Sequence, residues 1–260
     1  MTSFAASKNA AQRPLAIWHR NLRVWRKLMW PSILGNFGEP LLYLLAFGYG
    51  FGRLVGDIGE LPYMVFLASG IVCSNALTTA SFESMYSAFT RMTQQQTWGS
   101  MLDAPLTVDD IVIGEICWSA TKALMSGSAI LVVAMLLGLV GGWQAVLALP
   151  MILLLGLCFG ACAMVVTALS PSYDFFLYYF TLVMTPMVLL SGVFFPLDQL
   201  PSLVAQAAYL LPLAHGVEIV RPLMTGGWPS TVLPHMLVII AYGGAGFWLS
   251  LYLLRRRLAS

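Results

Sequence analysis

Charge is scarce in this sequence. Only 9% of its 260 residues are charged and 59% are hydrophobic, whereas about 25% of the residues of an ordinary soluble domain are charged. This shortage excludes an ordinary soluble domain and predicts an integral membrane protein that does not bind nucleic acid. The sequence shows no internal repeat, low-complexity tract or linker, so residues 1–260 are expected to form a single membrane domain.

Lysines are also few, and none lies in a phosphate-binding loop. The pattern GxxxxGK[ST], whose backbone cradles the phosphates of ATP in P-loop proteins, is absent. We therefore expect this chain to bind neither ATP nor any other cofactor. If its function is driven by ATP hydrolysis, a separate subunit must bind the ATP. The four cysteines lie in apolar runs and the three histidines lack ligand-like spacing, so neither disulfides nor a metal site is predicted.

Six apolar runs are long enough to cross a bilayer, which takes about 20 helical residues. Since backbone polar groups must be satisfied within lipid, the predicted fold is an all-α membrane protein with six transmembrane helices. In the fourth run, Gly156 and Gly160 form a GxxxG spacing that favours close helix packing. The predicted spans are approximately 32–54, 62–82, 111–140, 143–169, 173–195 and 232–254.

Two segments differ from these spans. Residues 13–30 combine a basic face with a tryptophan-rich apolar face, which predicts an N-terminal amphipathic interfacial helix. Residues 196–226, between spans five and six, are cut by prolines into apolar pieces too short to cross, which predicts a re-entrant or interfacial helical hairpin. The polar residues expected to organise this outer hairpin are Asp198, His215, Glu218 and Arg221.

Lysine and arginine predict the orientation, because cytoplasmic loops carry the excess of positive charge. Most of them lie in the N-terminal segment, at Arg91 and in the tail at 255–257, whereas the opposite side holds only Arg53 and Arg221. Both termini are therefore expected in the cytoplasm, with the chain passing several times through the membrane. Trp143 and Trp228 would then lie at the outer interface.

Three ionisable residues fall within predicted spans: Glu39, Glu115 and Lys122. Facing lipid, each would cost at least about 2.5–3.5 kcal/mol by insertion scales, so they are expected to face the bundle or a polar cavity. Helical spacing places four polar residues on one face of the third helix: Glu115, Ser119, Lys122 and Ser126. They predict either a polar seam beside a substrate path, with Glu39 paired to Lys122, or a structural ion pair that fixes helix packing.

The fifth span opens with an aromatic cluster that includes Tyr178 and Tyr179. Aromatic faces can stack on sugar rings or hold acyl chains, which would place these tyrosines on a substrate path. An aromatic cluster at a helix end is equally typical of an interfacial belt. The two interpretations are compatible.

The loop at 84–104 has a helical composition as far as Gly99, with large apolar side chains among polar ones. A short exposed helix with apolar anchors is what a groove-binding partner needs; the alternative is a helix that only caps the bundle. The residues expected to contact a partner are Glu83, Met85, Phe89, Arg91, Met92 and Trp98.

Two runs of sequence resemble a known family. SGVFFPLDQLP at 191–201 and LPLAHGVEIVRPL at 211–223 resemble the C-terminal signature of type-2 ABC transporter permeases, in particular the permease subunits of nodulation lipo-oligosaccharide exporters. A weaker resemblance continues through TWGSMLDAPLTVDDIVIGEICW at 97–118, and the likeness covers most of the chain.

The resemblance implies a permease that exports an amphipathic cargo, such as a lipo-oligosaccharide or another glycolipid, out of the cytoplasmic leaflet. In the family the loop at 84–104 forms a coupling helix on the ATPase subunit, which binds ATP and magnesium. Since one copy holds half the spans of the usual two-fold transporter, the expected assembly is a homodimer with two ATPase subunits.

Three other functions are weighed against this one. A drug or antibiotic exporter shares the same layout and stays open. An intramembrane serine protease needs an exposed serine and a histidine base, whereas Ser69 and Ser191 lack the usual GxSG context. A channel would need rings of charged or carbonyl groups, for which three ionisable residues in the spans are few.

Overall fold

The computed structural model describes residues 12–27, 29, 38, 41–42, 44–52, 56–59 and 61–259. A π-helical segment, Leu44–Phe51, and a two-stranded antiparallel hairpin, β1 (Asp57–Ile58) and β2 (Leu61–Pro62), precede the main bundle. The helices are α1 (Arg13–Lys27), α2 (Tyr63–Gln94), α3 (Thr97–Leu102), α4 (Val108–Leu136), α5 (Trp143–Leu169), α6 (Asp174–Leu190), α7 (Ser202–Ala208), α8 (Pro212–Met224) and α9 (Leu233–Ala259).

Four described helices, α2, α4, α5 and α9, are long and apolar enough to cross a membrane, and the bent pair α7–α8 would make a fifth candidate. Helix α6 is apolar but shorter. The prediction of an all-α membrane protein is therefore confirmed. The predicted first span, 32–54, lies mostly outside the described residues, so the count of six stays a prediction.

The predicted spans match the helices except at their ends. Helix α5 has the predicted bounds, and α4 begins earlier than predicted, where Thr107 and Asp110 form a reciprocal capping box. Helix α4 ends before Gly138, whose φ of +72° suits a residue without a side chain. The α-helical part of α2 ends at Phe82, the predicted end of the second span, and the helix continues in largely π-helical turns through Glu83 and Arg91 to Gln94.

Helix α5 is the central helix and packs against α9, α4 and α2. A Cβ atom on Gly156 would lie 2.9 Å from Cα of Ala120 in α4, so only glycine permits this approach. Gly160 meets Ser119 even more closely. The close packing predicted from GxxxG is therefore confirmed.

Helix α1 lies against α4 through another glycine. A Cβ atom on Gly114 would be 2.7 Å from Cβ of Ile17 and 2.9 Å from the carbonyl oxygen of Pro14. Trp18 adds a hydrogen bond from Nε1 to Oγ1 of Thr121, 2.9 Å long. Helix α1 spans Arg13–Lys27 with one of its faces held by α4, and its interfacial location stays a prediction.

Arginines of α9 join several helix ends at one end of the bundle. Nη1 of Arg257 donates to the carbonyl oxygens of Thr167, Ala168 and Ser170 at 2.7–3.0 Å, and so caps the C-terminus of α5. Arg255 pairs with Asp109 at the start of α4, with an Nε–Oδ1 distance of 2.8 Å. The loop around α3, the start of α4 and the end of α9 therefore share this end, called the α3 end below.

The opposite end carries two tryptophans and the hairpin α7–α8. Trp143 and Trp228 are exposed and meet edge to face with ring centroids 6.0 Å apart. The backbone N–H of Gly141 donates to the carbonyl of Met224 over 2.8 Å, which ties the end of α8 to the turn before α5. Helices α7 and α8 meet at 85°, a bend that fits a broken span as well as a re-entrant segment, so the hairpin stays a prediction.

Candidate functional site

A groove of about 790 Å³ runs along one side of α2. One wall is formed by two adjacent i, i+4 rows of α2, from Ile71 to Ser87, and the other by α6. At about 1.5 Å per residue, that stretch of α2 is about 24 Å long, most of a hydrocarbon core about 30 Å thick. We call it the membrane groove.

The α2 wall of the membrane groove carries a stripe of small polar residues: Ser74, Asn75, Thr78 and Thr79. Ser74 Oγ donates to the carbonyl of Ile71 over 3.1 Å, and Thr78 Oγ1 donates to that of Ser74 over 2.8 Å. These hydroxyl protons are satisfied within the helix, so the stripe is tolerated in a membrane, and its oxygens can still accept hydrogen bonds from a ligand.

A second cleft of about 690 Å³ lies at the α3 end, between α1, α2 and α4. We call it the basal cleft. Four residues line both the basal cleft and the membrane groove, which makes the two spaces adjoin. The shared residues are Glu83, Tyr86, Ser87 and Lys122.

An ion-pair network forms one side of the basal cleft. Arg91 Nη2 lies 2.6 Å from Oε2 of Glu115 and 3.0 Å from Oε1 of Glu83, and its Nε lies 3.0 Å from Oε1 of Glu115. The guanidinium thus grips Glu115 with two parallel bonds, the strong geometry for such a pair. Only 12% of the Arg91 side chain is exposed, 11% of Glu83 and none of Glu115.

The two carboxylates have different roles in this network. Glu115 accepts from Asn21 Nδ2 at 3.2 Å and Trp98 Nε1 at 3.3 Å as well as from Arg91, so it has four donors and is saturated. Glu83 accepts from Arg91, Trp118 and Ser87, and it lines both clefts. Glu115 is therefore a structural anchor, whereas Glu83 faces the space that a ligand would occupy.

Arg20 of α1 lies at the mouth of the same cleft. Its Nη1 donates to Oδ1 of Asn21 over 3.0 Å. Partial burial lowers the pKa of the Arg20 guanidinium, the nearby charge of Arg91 acts in the same direction, and Glu115 opposes both. Because an arginine pKa starts above 12, the group stays charged and adds a positive charge to the cleft.

The expected exposure of the coupling anchors is wrong. Met85, Phe89, Met92 and Trp98 are buried within the chain, between 0% and 7% exposed. Met85, Phe89 and Met92 belong to the continuation of α2, which packs in the bundle because Arg91 pairs there with Glu83 and Glu115. Trp98 is buried, with its indole N–H bonded to Glu115. Contact of these residues with a partner subunit stays untested, but they present no apolar surface to it.

The exposed surface of the same loop is polar. It consists of the end of α2, one side of α3 and the turn into α4. Its members include Gln94, Gln95, Gln96, Ser100 and Asp103. We call these residues the loop surface.

The residues predicted to line a substrate path separate into several groups. Lys122 lines both clefts, and its Nζ lies 5.8 Å from the ring centroid of Trp25. Glu115 is buried in the ion-pair network, and Glu39 lies outside the described residues. Tyr178 is exposed on α6 while Tyr179 packs against the core, so they point in different directions.

The predicted residues of the outer hairpin make separate contacts. Arg221 is held between α2 and the end of α6, with its guanidinium 3.6 Å from the ring centroid of Phe66 and hydrogen bonds to Ser69 Oγ at 3.0 Å and the Gly192 carbonyl at 2.6 Å. His215 Nε2 donates to the Tyr209 carbonyl at 2.8 Å. Its Nδ1 then accepts from Nδ1 of His235, 2.7 Å away.

The other two predicted hairpin residues differ in exposure. Asp198 is exposed, and Glu218 is half-buried. Arg221 and His215 therefore tie the hairpin to the bundle, each through partners of its own.

Sequence reasoning missed the polar stripe of α2 and the roles of Asn21 and Trp118. The stripe was detectable from its i, i+4 spacing across an apolar run, the signal that singled out the face of Glu115 and Lys122. Asn21 and Trp118 gave no such signal, because their importance comes from contacts across the fold, to Glu115 and Glu83.

Comparison with known proteins gives the family. The chain matches the family described as ABC-2 type transporter over residues 14–225. It belongs to that family. The resemblance noted at 97–118, 191–201 and 211–223 is thereby confirmed.

Individual relatives agree with this assignment. The chain is 48% identical over 245 residues to Nodulation protein J of Rhizobium leguminosarum bv. viciae, covering 94% of both chains. It is 45% identical over 244 residues to Nodulation protein J of Rhizobium meliloti (strain 1021), covering 94% of this chain and 93% of the relative. The inner membrane transport permease YadH of Escherichia coli (strain K12) is 26% identical over 211 residues, 78% of this chain and 79% of YadH.

The family membership and the apolar helices together make this chain a multi-pass membrane transport permease of the ABC-2 type. Such a permease is a transport subunit, and its family pairs with an ABC ATPase. The membrane groove and the basal cleft are therefore candidate parts of a transport path.

Proposed function

We propose that this permease exports an amphipathic glycolipid, such as a lipo-oligosaccharide, from the cytoplasmic leaflet. A second copy of the chain would pair with it, and two ABC ATPase subunits would bind ATP and magnesium. The observation that carries the proposal is the membrane groove, which extends along about 24 Å of α2 by its rise per residue and joins a polar cleft at the α3 end. A cargo with a polar head and an apolar chain fits a path of that composition.

The polar loop surface is the proposed contact with the ATPase subunit. It lies at the same end as the arginine-rich C-terminus, which is the cytoplasmic end if the excess of positive charge decides the orientation. Helix α3 lies directly beside the ion-pair network through Trp98. Movement of α3 on ATP binding would therefore be transmitted to the basal cleft directly, through the contact of Trp98 with Glu115.

The drug or antibiotic exporter remains the second candidate, because an apolar groove with hydroxyl groups can also hold a drug. The protease is opposed by the geometry around Ser69. Its Oγ donates to the Phe66 carbonyl at 2.7 Å and accepts from Arg221 at 3.0 Å, while His215 and His235 bond to each other. A serine beside a guanidinium has no base to activate it.

The test is co-purification with the ABC ATPase encoded nearest to this gene, followed by ATPase assays in lipid with candidate glycolipids and with a panel of drugs. We expect a stable complex whose ATPase rate responds to glycolipids. A response to drugs alone would favour the second candidate. Failure to form a complex with any such ATPase would refute the exporter.

A further inference from the structure

The basal cleft has the size of a ligand site and a distinctive chemistry. Its volume of about 690 Å³ falls within the range of about 300–1,000 Å³ typical of small-molecule sites. It adjoins the membrane groove, with which it shares Lys122 and Glu83 as lining residues. A molecule bound there would be positioned to continue along α2.

Aromatic faces belong to two walls of the basal cleft. Trp25 and Trp118, from α1 and α4, meet edge to face with ring centroids 6.5 Å apart. Tyr86 and Tyr173 are stacked in nearly parallel planes, 15° apart, with centroids at 6.3 Å. Rings held by other rings present flat apolar surfaces at little cost in conformational entropy.

Small hydrogen-bonding groups lie between these rings. Ser87 and Thr90 line the cleft from α2, and Gln95 lines it just beyond the end of that helix. Ser87 Oγ donates to Glu83 and Thr90 Oγ1 donates to the Tyr86 carbonyl, so both oxygens can accept hydrogen bonds from the hydroxyls of a ligand. A sugar combines such hydroxyls with flat C–H faces that can rest on aromatic rings.

The charge of the basal cleft is nearly balanced. Arg91 is neutralised by Glu83 and Glu115, which leaves one excess negative charge against the two positive charges of Arg20 and Lys122. The resulting excess of one positive charge admits a neutral or singly anionic group and repels a cationic one. A cationic drug is therefore a poor match for this cleft.

We propose that the basal cleft binds the carbohydrate head group of the cargo before the cargo enters the membrane groove. This inference rests on the proposed function, whose glycolipid it places at a defined site. Trp25 supplies a ring face, Ser87 and Thr90 supply hydrogen bonds, and Lys122 stands where the head group passes into the groove.

The probe for the test is radiolabelled dodecyl maltotrioside, with the full-length chain in lipid nanodiscs and no ATPase present. We expect saturable binding that free maltotriose competes away. Trp25→Leu should weaken binding by about five- to tenfold, as expected for loss of one stacking face, whereas Trp25→Phe should restore most of it. Trp143→Leu, at the opposite end, should bind as the wild type does.

Three results would overturn the inference. The first is no saturable binding, and the second is equal binding by the Trp25→Leu variant while its thermal stability matches the wild type. The third is equal competition by dodecylphosphocholine or dodecyltrimethylammonium, which would indicate a general lipid or cation site. Because no ATPase is present, these results are separable from failure of the exporter, which appears as a missing ATPase complex.

Discussion

Among single residues, Arg91 has the largest electrostatic role in the described part of the chain. It neutralises two carboxylates that α2 and α4 bring into the bundle, and Trp98 and Asn21 complete the shell of Glu115. A buried ion pair stabilises a fold little more than an apolar contact would, but removing one partner leaves a buried charge without compensation. The network therefore fixes which packing of α2 against α4 is allowed.

Replacing Arg91 by alanine should consequently destabilise the fold. Glu83 and Glu115 would lose the cation that bonds both of them directly, and we expect a loss of about 3–5 kcal/mol. The measurement is thermal or denaturant unfolding of the detergent-solubilised chain. Arg255→Ala is the matched control, because its pair with Asp109 is exposed to solvent and should contribute little.

Equal losses in the two arginine variants would contradict the assignment of Arg91 as the central structural charge. A triple variant with Arg91→Met, Glu83→Gln and Glu115→Gln separates charge from shape. Since the triple variant leaves no charge in this network, it should recover much of the stability that Arg91→Ala loses. No recovery would mean that the network acts through its shape instead.

At the scale of elements, α2 shows how far sequence reasoning reaches. Its apolar start at Tyr63 was predicted to within one residue, since a long apolar run dictates a helix in lipid. Its continuation beyond Phe82 was not predicted, because Glu83 and Arg91 look like loop charges until Glu115 is known to pair with Arg91. The sequence states how many charges exist, but pairing across the fold decides which are solvated.

The N-terminal helix offers a second lesson. Its amphipathic pattern predicted where α1 lies along the chain, but not that α4 would hold it through Gly114. A glycine inside an apolar run can have several structural roles. That Gly114 allows close approach of α1 is recognised only from its contact with Ile17. The basal cleft exists because α1 is held there.

Gly114→Ala should therefore displace α1. The added Cβ would be 2.7 Å from Ile17 and 2.9 Å from the Pro14 carbonyl, and overpacking of this kind costs about 1–3 kcal/mol. We expect faster proteolysis within Arg13–Lys27 and weaker dodecyl maltotrioside binding. Gly244→Ala is the control, since nothing lies within 4 Å of its added Cβ, and it should match the wild type.

The loop surface gives a prediction for α3. Ser100→Arg or Asp103→Arg places a large cation on an exposed side of the loop without touching the buried network. Such changes should reduce co-purification with the ATPase while leaving thermal stability within about 0.5 kcal/mol. Ser230→Arg, exposed at the other end, should not change the complex. Undiminished ATPase binding by both loop variants would contradict the proposed contact.

For the whole molecule, the two ends of the bundle differ in charge and in aromatic content. The α3 end gathers the α9 arginines and the loop surface, and the opposite end gathers Trp143, Trp228 and the hairpin. The excess of positive charge predicts that the α3 end faces the cytoplasm.

Cysteine labelling tests that orientation directly. In a background with the four native cysteines replaced by alanine, Ser100→Cys and Ser230→Cys put one exposed thiol at each end. A membrane-impermeant maleimide added to spheroplasts should label Ser230→Cys at once and Ser100→Cys only after the membrane is opened. The reverse order would invert the path, so that the basal cleft would face outward and receive cargo from the opposite leaflet. Labelling of both in intact spheroplasts would place the two ends on one side and contradict α2, α4, α5 and α9 as membrane spans.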